Sequence, residues 1–158
     1  MIKVINGDIT KAEENIIVHQ VNCQAKMASG VAKSIRKAFP RAYTEYMSMF
    51  DKVEDPEHLL GHAQIIQVDE SVFSDKFIVN LFGQLNYGYD GQRYTSYDAL
   101  WDGLSYVKTH AKRASKSVAI PYGIGSVRGG ANWDVVYKMI ETIFHDYDVT
   151  LYRYEEKK

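Results

Sequence analysis

A chain of 158 residues with 46% hydrophobic and 25% charged side chains can bury its own core and reads as one domain over residues 1–158. With 19 basic and 20 acidic side chains its formal charge is -1, which excludes a global field that would hold a nucleic acid by charge neutralisation but not a site for a small anion. The single cysteine, Cys23, excludes a disulfide framework and a cysteine-based zinc site.

Met1 to Asp8 runs directly into a strand pattern, with no basic region ahead of a long apolar one. No run reaches the roughly 20 apolar residues of a bilayer span, so no membrane association and a cytoplasmic location are expected. Ile2–Ile5 and Ile16–Val21 are Ile/Val-rich strands, and a helix follows over Gly30–Ala38, closed by Pro40, with more helix over Arg41–Phe50. Ala63–Val68 and Phe77–Phe82 are the next strands. After the capping pair Thr95-Ser96, residues Ala99, Leu100, Leu104, Val107 and Ala111 recur at helical spacing. Val118–Ile120 is a further strand, and Asn132 opens a helix whose apolar face is Val135, Val136, Met139, Ile140, Ile143 and Phe144. Val149–Tyr154 is the last strand. Strands alternating with helices predict an α/β layered fold with the sheet covered on both faces. The one long loop, Asn86–Thr95, carries Tyr87, Tyr89 and Tyr94, which either stack on a ligand or stand on the surface.

Two glycine-containing turns, residues 21–32 and 121–130, each follow a strand and lead into a helix. Glycine admits close backbone approach and φ > 0, and the following helix presents unpaired N–H groups and the positive end of its dipole. Two such turns suggest a site for a nucleotide diphosphate. Lys26 and Arg128 either pair with phosphate there or are solvated charges. His19 and Cys23 are about 13 Å apart along a strand, too far for a nucleophile–base pair. His58, His62, His110 and His145 lack metal-ligand spacing, so no metal and no cofactor are expected.

The order of Asn6-Gly7-Asp8-Ile9-Thr10, Val21-Asn22-Cys23, Ser29-Gly30-Val31-Ala32, Ile120-Pro121, Gly123-Ile124-Gly125 and Gly129-Gly130 closely resembles the macrodomain family over essentially the whole chain. The likeness is to the branch with a Val-Asn-Cys turn, which includes ADP-ribose 1''-phosphate phosphatases and terminal ADP-ribose glycohydrolases. The Phe82-Gly83-Gln84 and Thr95–Leu100 segments fit it too. The resemblance implies a three-layer α/β/α sandwich with a mixed central sheet. It implies that Asp8, supported by the Ile9 N–H, accepts from the adenine amine, although an Asx-turn is the alternative role for Asp8. Asn22, the expected catalytic residue, would lie beside the distal ribose, or serve the turn. Ser29, Gly30, Val31 and Ala32 would face one side of the diphosphate, and Gly123, Ile124, Gly125, Ser126, Val127 and Arg128 the other, with Gln84 nearby.

Departures from the family pattern matter. Ala28 stands where relatives have glycine, and would be strained at φ > 0. Ser126-Val127 replaces Cys-Gly, and Asn132 replaces an aspartate. Gln84 and Gly129 stand where the glycohydrolase type has its nucleophilic lysine and assisting aspartate, which disfavours that chemistry. The expected partner is ADP-ribose, a derivative, or an ADP-ribosylated macromolecule. The chain would either hydrolyse ADP-ribose 1''-phosphate or an ester-linked ADP-ribose, with water activated by the substrate or by a polar group such as His19, or bind ADP-ribose without turnover. Gly125→Glu is expected to block the site at little cost to stability if φ there is negative.

Overall fold

The computed structural model describes residues 1–68, 75–88 and 90–154; Tyr89 lies outside them. Strands β1 (Ile2–Asn6), β2 (Ile16–Asn22), β3 (Ala63–Gln67), β4 (Phe77–Gln84), β5 (Val118–Pro121) and β6 (Val149–Arg153) form one sheet in the order β1-β6-β5-β2-β4-β3. Every neighbouring pair is parallel except β3 and β4. The carboxy ends of the five parallel strands therefore share one edge.

Helices α1 (Gly30–Ala38) and α2 (Pro40–Met49) cover one face of the sheet, α3 (Tyr97–Ala114) and α4 (Trp133–Ile143) the other. Alternation along the strands divides the core accordingly. Ile17, Ile78 and Ala119 pack with Ile35 and Ala42 of the first pair, while Val18, Val79, Leu81 and Ile120 pack with Leu104, Val107 and Ile140 of the second. The result is the expected three-layer α/β/α sandwich on a mixed sheet.

Local chemistry sets the boundaries. Phe39 is held out of the helical region (φ -133°, ψ 77°) by Pro40, which separates α1 from α2. The Ser96 hydroxyl accepts from Ala99 N–H at 3.1 Å, and the Asn132 carbonyl oxygen accepts from Asp134 N–H at 2.9 Å, so both expected caps start their helices. Several strands run one or two residues beyond their apolar stretches, to Asn22 in β2 and Gln84 in β4. Two short 3-10 turns without an apolar period, Ile9–Lys11 and Pro56–Leu59, escape sequence reading; each is opened by an aspartate accepting from the N–H two residues on. The β2–β4 register slips between Val21 and Asn22, so that Val21 faces Phe82 but Asn22 faces Gln84. Gly83 is the extra residue of this bulge.

Helix α3 lies unusually close to β4 at Gly103, where an added Cβ would sit 2.5 Å from Leu81 Cγ. Alanine is the better helix former by about 1 kcal/mol, but overpacking costs about 1–3 kcal/mol. Gly103→Ala is therefore expected to lower the urea midpoint. In a double-mutant cycle with Leu81→Ala the two losses should be less than additive, the new methyl occupying the space vacated by leucine.

Candidate functional site

Beyond the carboxy ends of β2, β4 and β5 lies a cleft of about 450 Å³, where open α/β sheets place their ligands. Its lining includes Asn22, Lys26, Ser29, Gly30, Val31 and Ala32 from the first turn. Gly123, Ile124, Gly125, Val127, Arg128 and Gly129 of the second turn stand opposite, with Gln20, Gln84, Tyr87 and Tyr122 completing the walls. Ser126 does not line the cleft, and its buried hydroxyl makes no hydrogen bond.

Asn22 organises the first turn. Its Oδ1 accepts from Gln24 N–H and from the Tyr46 hydroxyl, each at 2.9 Å, while Nδ2 donates to the Lys26 carbonyl at 2.9 Å. Tyr46, reaching up from α2, also accepts from Lys26 N–H at 3.2 Å. Burial pushes its phenol well above the usual range, so it remains a protonated donor. The left-handed residues of this turn are Ala25 (φ 58°) and Gly30 (φ 60°), not Ala28. Ser29 gives α1 no side-chain cap, and the first turn of that helix contains no acid. An uncapped helix N-terminus thus opens onto the cleft.

The second turn rests on Gln20. Its Nε2 donates to Gln84 Oε1 at 2.7 Å and to Thr95 Oγ1 at 2.8 Å, and the Thr95 hydroxyl donates to the Gly125 carbonyl at 2.8 Å. The Ile124 and Ser126 N–H groups close the turn on the carbonyls of Pro121 and Gly123, so only part of the expected cradle faces a ligand. Gly125 has φ +74°, and a Cβ there would lie 3.1 Å from Thr95 Cγ2. Gly125→Glu would consequently strain the fold, and Val31→Glu is the better blocking variant. Any Cβ at Gly129 would collide with the Thr95 hydroxyl and stand 2.5 Å from the Gly125 carbonyl, so no acid fits there while Thr95 is present. Of the loop tyrosines, Tyr87 reaches the cleft, whereas Tyr94 donates to Asp90 at 2.8 Å.

Asp8 and Ile9 do not line the cleft. Asp8 Oδ1 accepts from Thr10 N–H at 2.9 Å and from its hydroxyl at 2.8 Å, the Asx-turn role, leaving Oδ2 for another donor. Sequence reasoning missed Gln20 and Tyr122. Tyr122 packs between the Arg153 guanidinium, 4.2 Å from its ring centre, and Trp133 at 4.8 Å.

His19 is not placed to activate water in the cleft. It is buried beneath α2, its Nε2 2.6 Å from Asn80 Oδ1. Asn80 Nδ2 donates to Ala42 O and Gln64 Oε1, so its oxygen must face His19 and Nε2 carries the proton. Burial lowers the His19 pKa to about 4. Burial, with Glu57 assisting, raises the Cys23 thiol to about 11, far from a reactive thiolate. Among the described residues no group of three His, Cys, Asp or Glu side chains is arranged around a metal. No helix among them is long and apolar enough to cross a membrane.

A cleft between two glycine turns at the carboxy edge of a six-stranded α/β/α sandwich places the chain among the layered α/β domains. The Macro domain family model matches residues 18–140, and the chain belongs to that family. A curated relative, the ADP-ribose 1''-phosphate phosphatase of Aspergillus oryzae, is 29% identical over a match covering 55% of this chain. The chain covers 58% of that relative's length. Among solved structures, the Mycobacterium tuberculosis DarG macrodomain superposes with a TM-score of 0.79 at 22% identity, covering 99% of each chain. Thermosipho africanus DarTG, solved in complex with ADP-ribose, gives 0.78 at 18% identity over 99% of this chain and 42% of the other.

The depressed His19 value has a testable sign. The unfolded chain takes up a proton near pH 6.5 that the native state refuses until about pH 4. Stability should therefore fall, by up to about 1.4 kcal/mol per pH unit, as pH drops below 6.5. Imidazole NMR should show His19 still neutral at pH 5.5.

Proposed function

We propose that this macrodomain binds ADP-ribose, or the ADP-ribose group of a modified macromolecule, with the diphosphate between its two glycine turns. The observation that carries this is the uncapped N-terminus of α1 opening into the cleft directly opposite the second turn. The structure of a related fold holding ADP-ribose supports the same ligand. Asp8 Oδ2 would take the adenine amine, the Ile9 N–H beside it, and Asn22 would offer its second Nδ2–H to the distal ribose.

Among its described lining residues the cleft has no carboxylate, imidazole or thiol. Recognition is therefore favoured over chemistry that requires a protein base. A second reading, removal of the phosphate from ADP-ribose 1''-phosphate, is supported by the fungal relative. In it Asn22 holds the distal ribose while water is activated by the substrate's own phosphate.

Calorimetry should give a dissociation constant between low micromolar and sub-millimolar for ADP-ribose. Val31→Glu should abolish binding with little change in melting temperature, and Asp8→Ala should weaken it by about 1.5–3 kcal/mol. Absence of heat at millimolar ADP-ribose in folded wild type would sink the proposal. Metal-free release of phosphate from ADP-ribose 1''-phosphate, reduced by Asn22→Ala at least as much as binding is, would establish the second reading; binding without release leaves the first.

A further inference from the structure

Tyr46 carries an oxygen that packing does not require. Ala42, Tyr46 and Phe50 recur at four-residue spacing along the inner face of α2 and its C-cap, and Tyr46 is fully buried. Its ring centre lies 5.2 Å from that of Phe50 and 5.6 Å from that of Phe82. Phenylalanine would make the same ring contacts, and a buried hydroxyl costs stability unless it is hydrogen-bonded. The hydrogen bonds of this hydroxyl run to the first turn. It donates to the Asn22 carbonyl at 2.8 Å and to Asn22 Oδ1 at 2.9 Å, one hydrogen shared between the two, and accepts from Lys26 N–H at 3.2 Å.

The consequence falls on the Asn22 amide, whose oxygen has two lone pairs and whose nitrogen has two hydrogens. Gln24 N–H and the Tyr46 hydroxyl, each at 2.9 Å, take the two lone pairs, and the Lys26 carbonyl at 2.9 Å takes one hydrogen. What remains for the cleft, which Asn22 lines, is a single Nδ2–H. The Gln24 bond alone would leave one lone pair open, so Tyr46 is the residue that closes the acceptor side. Because the phenol holds the Asn22 carbonyl as well as its side chain, and its own ring is packed between Phe50 and Phe82, it also fixes the direction of that N–H from outside the turn.

We propose that Tyr46 is a specificity-determining positioning residue: by closing the acceptor side of the Asn22 amide it makes Asn22 a pure donor, so that this part of the cleft takes a group presenting an acceptor oxygen, as a sugar hydroxyl does, and gains nothing from a group that only donates. This rests on the ADP-ribose reading above and adds to it the residue that gives the distal-ribose contact its polarity. A donor-only amide holds an oxygen in place but takes no proton from water.

The test is calorimetry of ADP-ribose and of ADP, which lacks the distal ribose, on wild type and Tyr46→Phe, with the melting temperature of each recorded. Tyr46→Phe should bind ADP-ribose about 2- to 10-fold more weakly, the equivalent of one neutral hydrogen bond, and bind ADP as wild type does. Equal weakening of both ligands would show that the hydroxyl serves only the fold and would overturn the proposal, as would no weakening of either. ADP extended by a 2-aminoethyl ester, whose ammonium only donates, should bind wild type no tighter than ADP; tighter binding would overturn the donor-only assignment. Should Tyr46→Phe not fold, side-chain amide NMR of wild type decides: one Asn22 Hδ2 resonance should move on adding ADP-ribose and stay in place on adding ADP, whereas resonances that ignore ADP-ribose or respond alike to both would overturn the proposal. Failure of wild type to bind ADP-ribose would overturn the proposed function and the role of Tyr46 with it.

Discussion

The site hangs on the amide of Gln20. Standing one residue before the β2–β4 register slip, it joins the end of β4 through Gln84, the start of α3 through Thr95, and through Thr95 the second turn at Gly125. Three glycines surround that amide, and each is there because a side chain would meet it or its partner. A Cβ on Gly83 would fall on Gln20 Oε1, one on Gly125 would approach it to 3.2 Å, and one on Gly129 would lie 3.1 Å from Nε2. Gln20 Oε1 itself is buried without a partner, a cost accepted for that packing.

The first turn is built by different means. Its scaffold is the phenol of Tyr46, which belongs to the α2 layer and stacks on Phe82 of β4 at 5.6 Å between ring centres. One wall of the cleft is thus braced from the helical layer and the other from the strand ends. The two come together where Arg128 passes Gly30: a Cβ on that glycine would lie 3.4 Å from Arg128 Nε.

What could be read in the sequence was local or periodic. Ile/Val runs marked the strands, Ser96 and Asn132 started their helices, and Pro40 divided α1 from α2, because each acts within a few residues of itself. Macrodomain membership was legible in the order of short motifs. What could not be read depended on distant parts of the chain. Gln20 meets partners 64 and 75 residues away, and Tyr46 meets Asn22 at a separation of 24. Ala25, not Ala28, is the non-glycine residue at positive φ, in the stretch that the Asn22 hydrogen bonds to Gln24 and Lys26 wind. The sequence does not show which strand face His19 takes; period-2 alternation turns it toward α2 and away from the cleft.

The crowding at Gly129 also constrains how such a chain can change over generations. An acid at this position cannot arrive by one replacement, since its Cβ would occupy the space of the Thr95 hydroxyl and press on the Gly125 carbonyl. Thr95 would have to shrink first, and that step releases both Gln20 and the second turn. The order of substitutions therefore matters more than their number, because the intermediate has a loosened site.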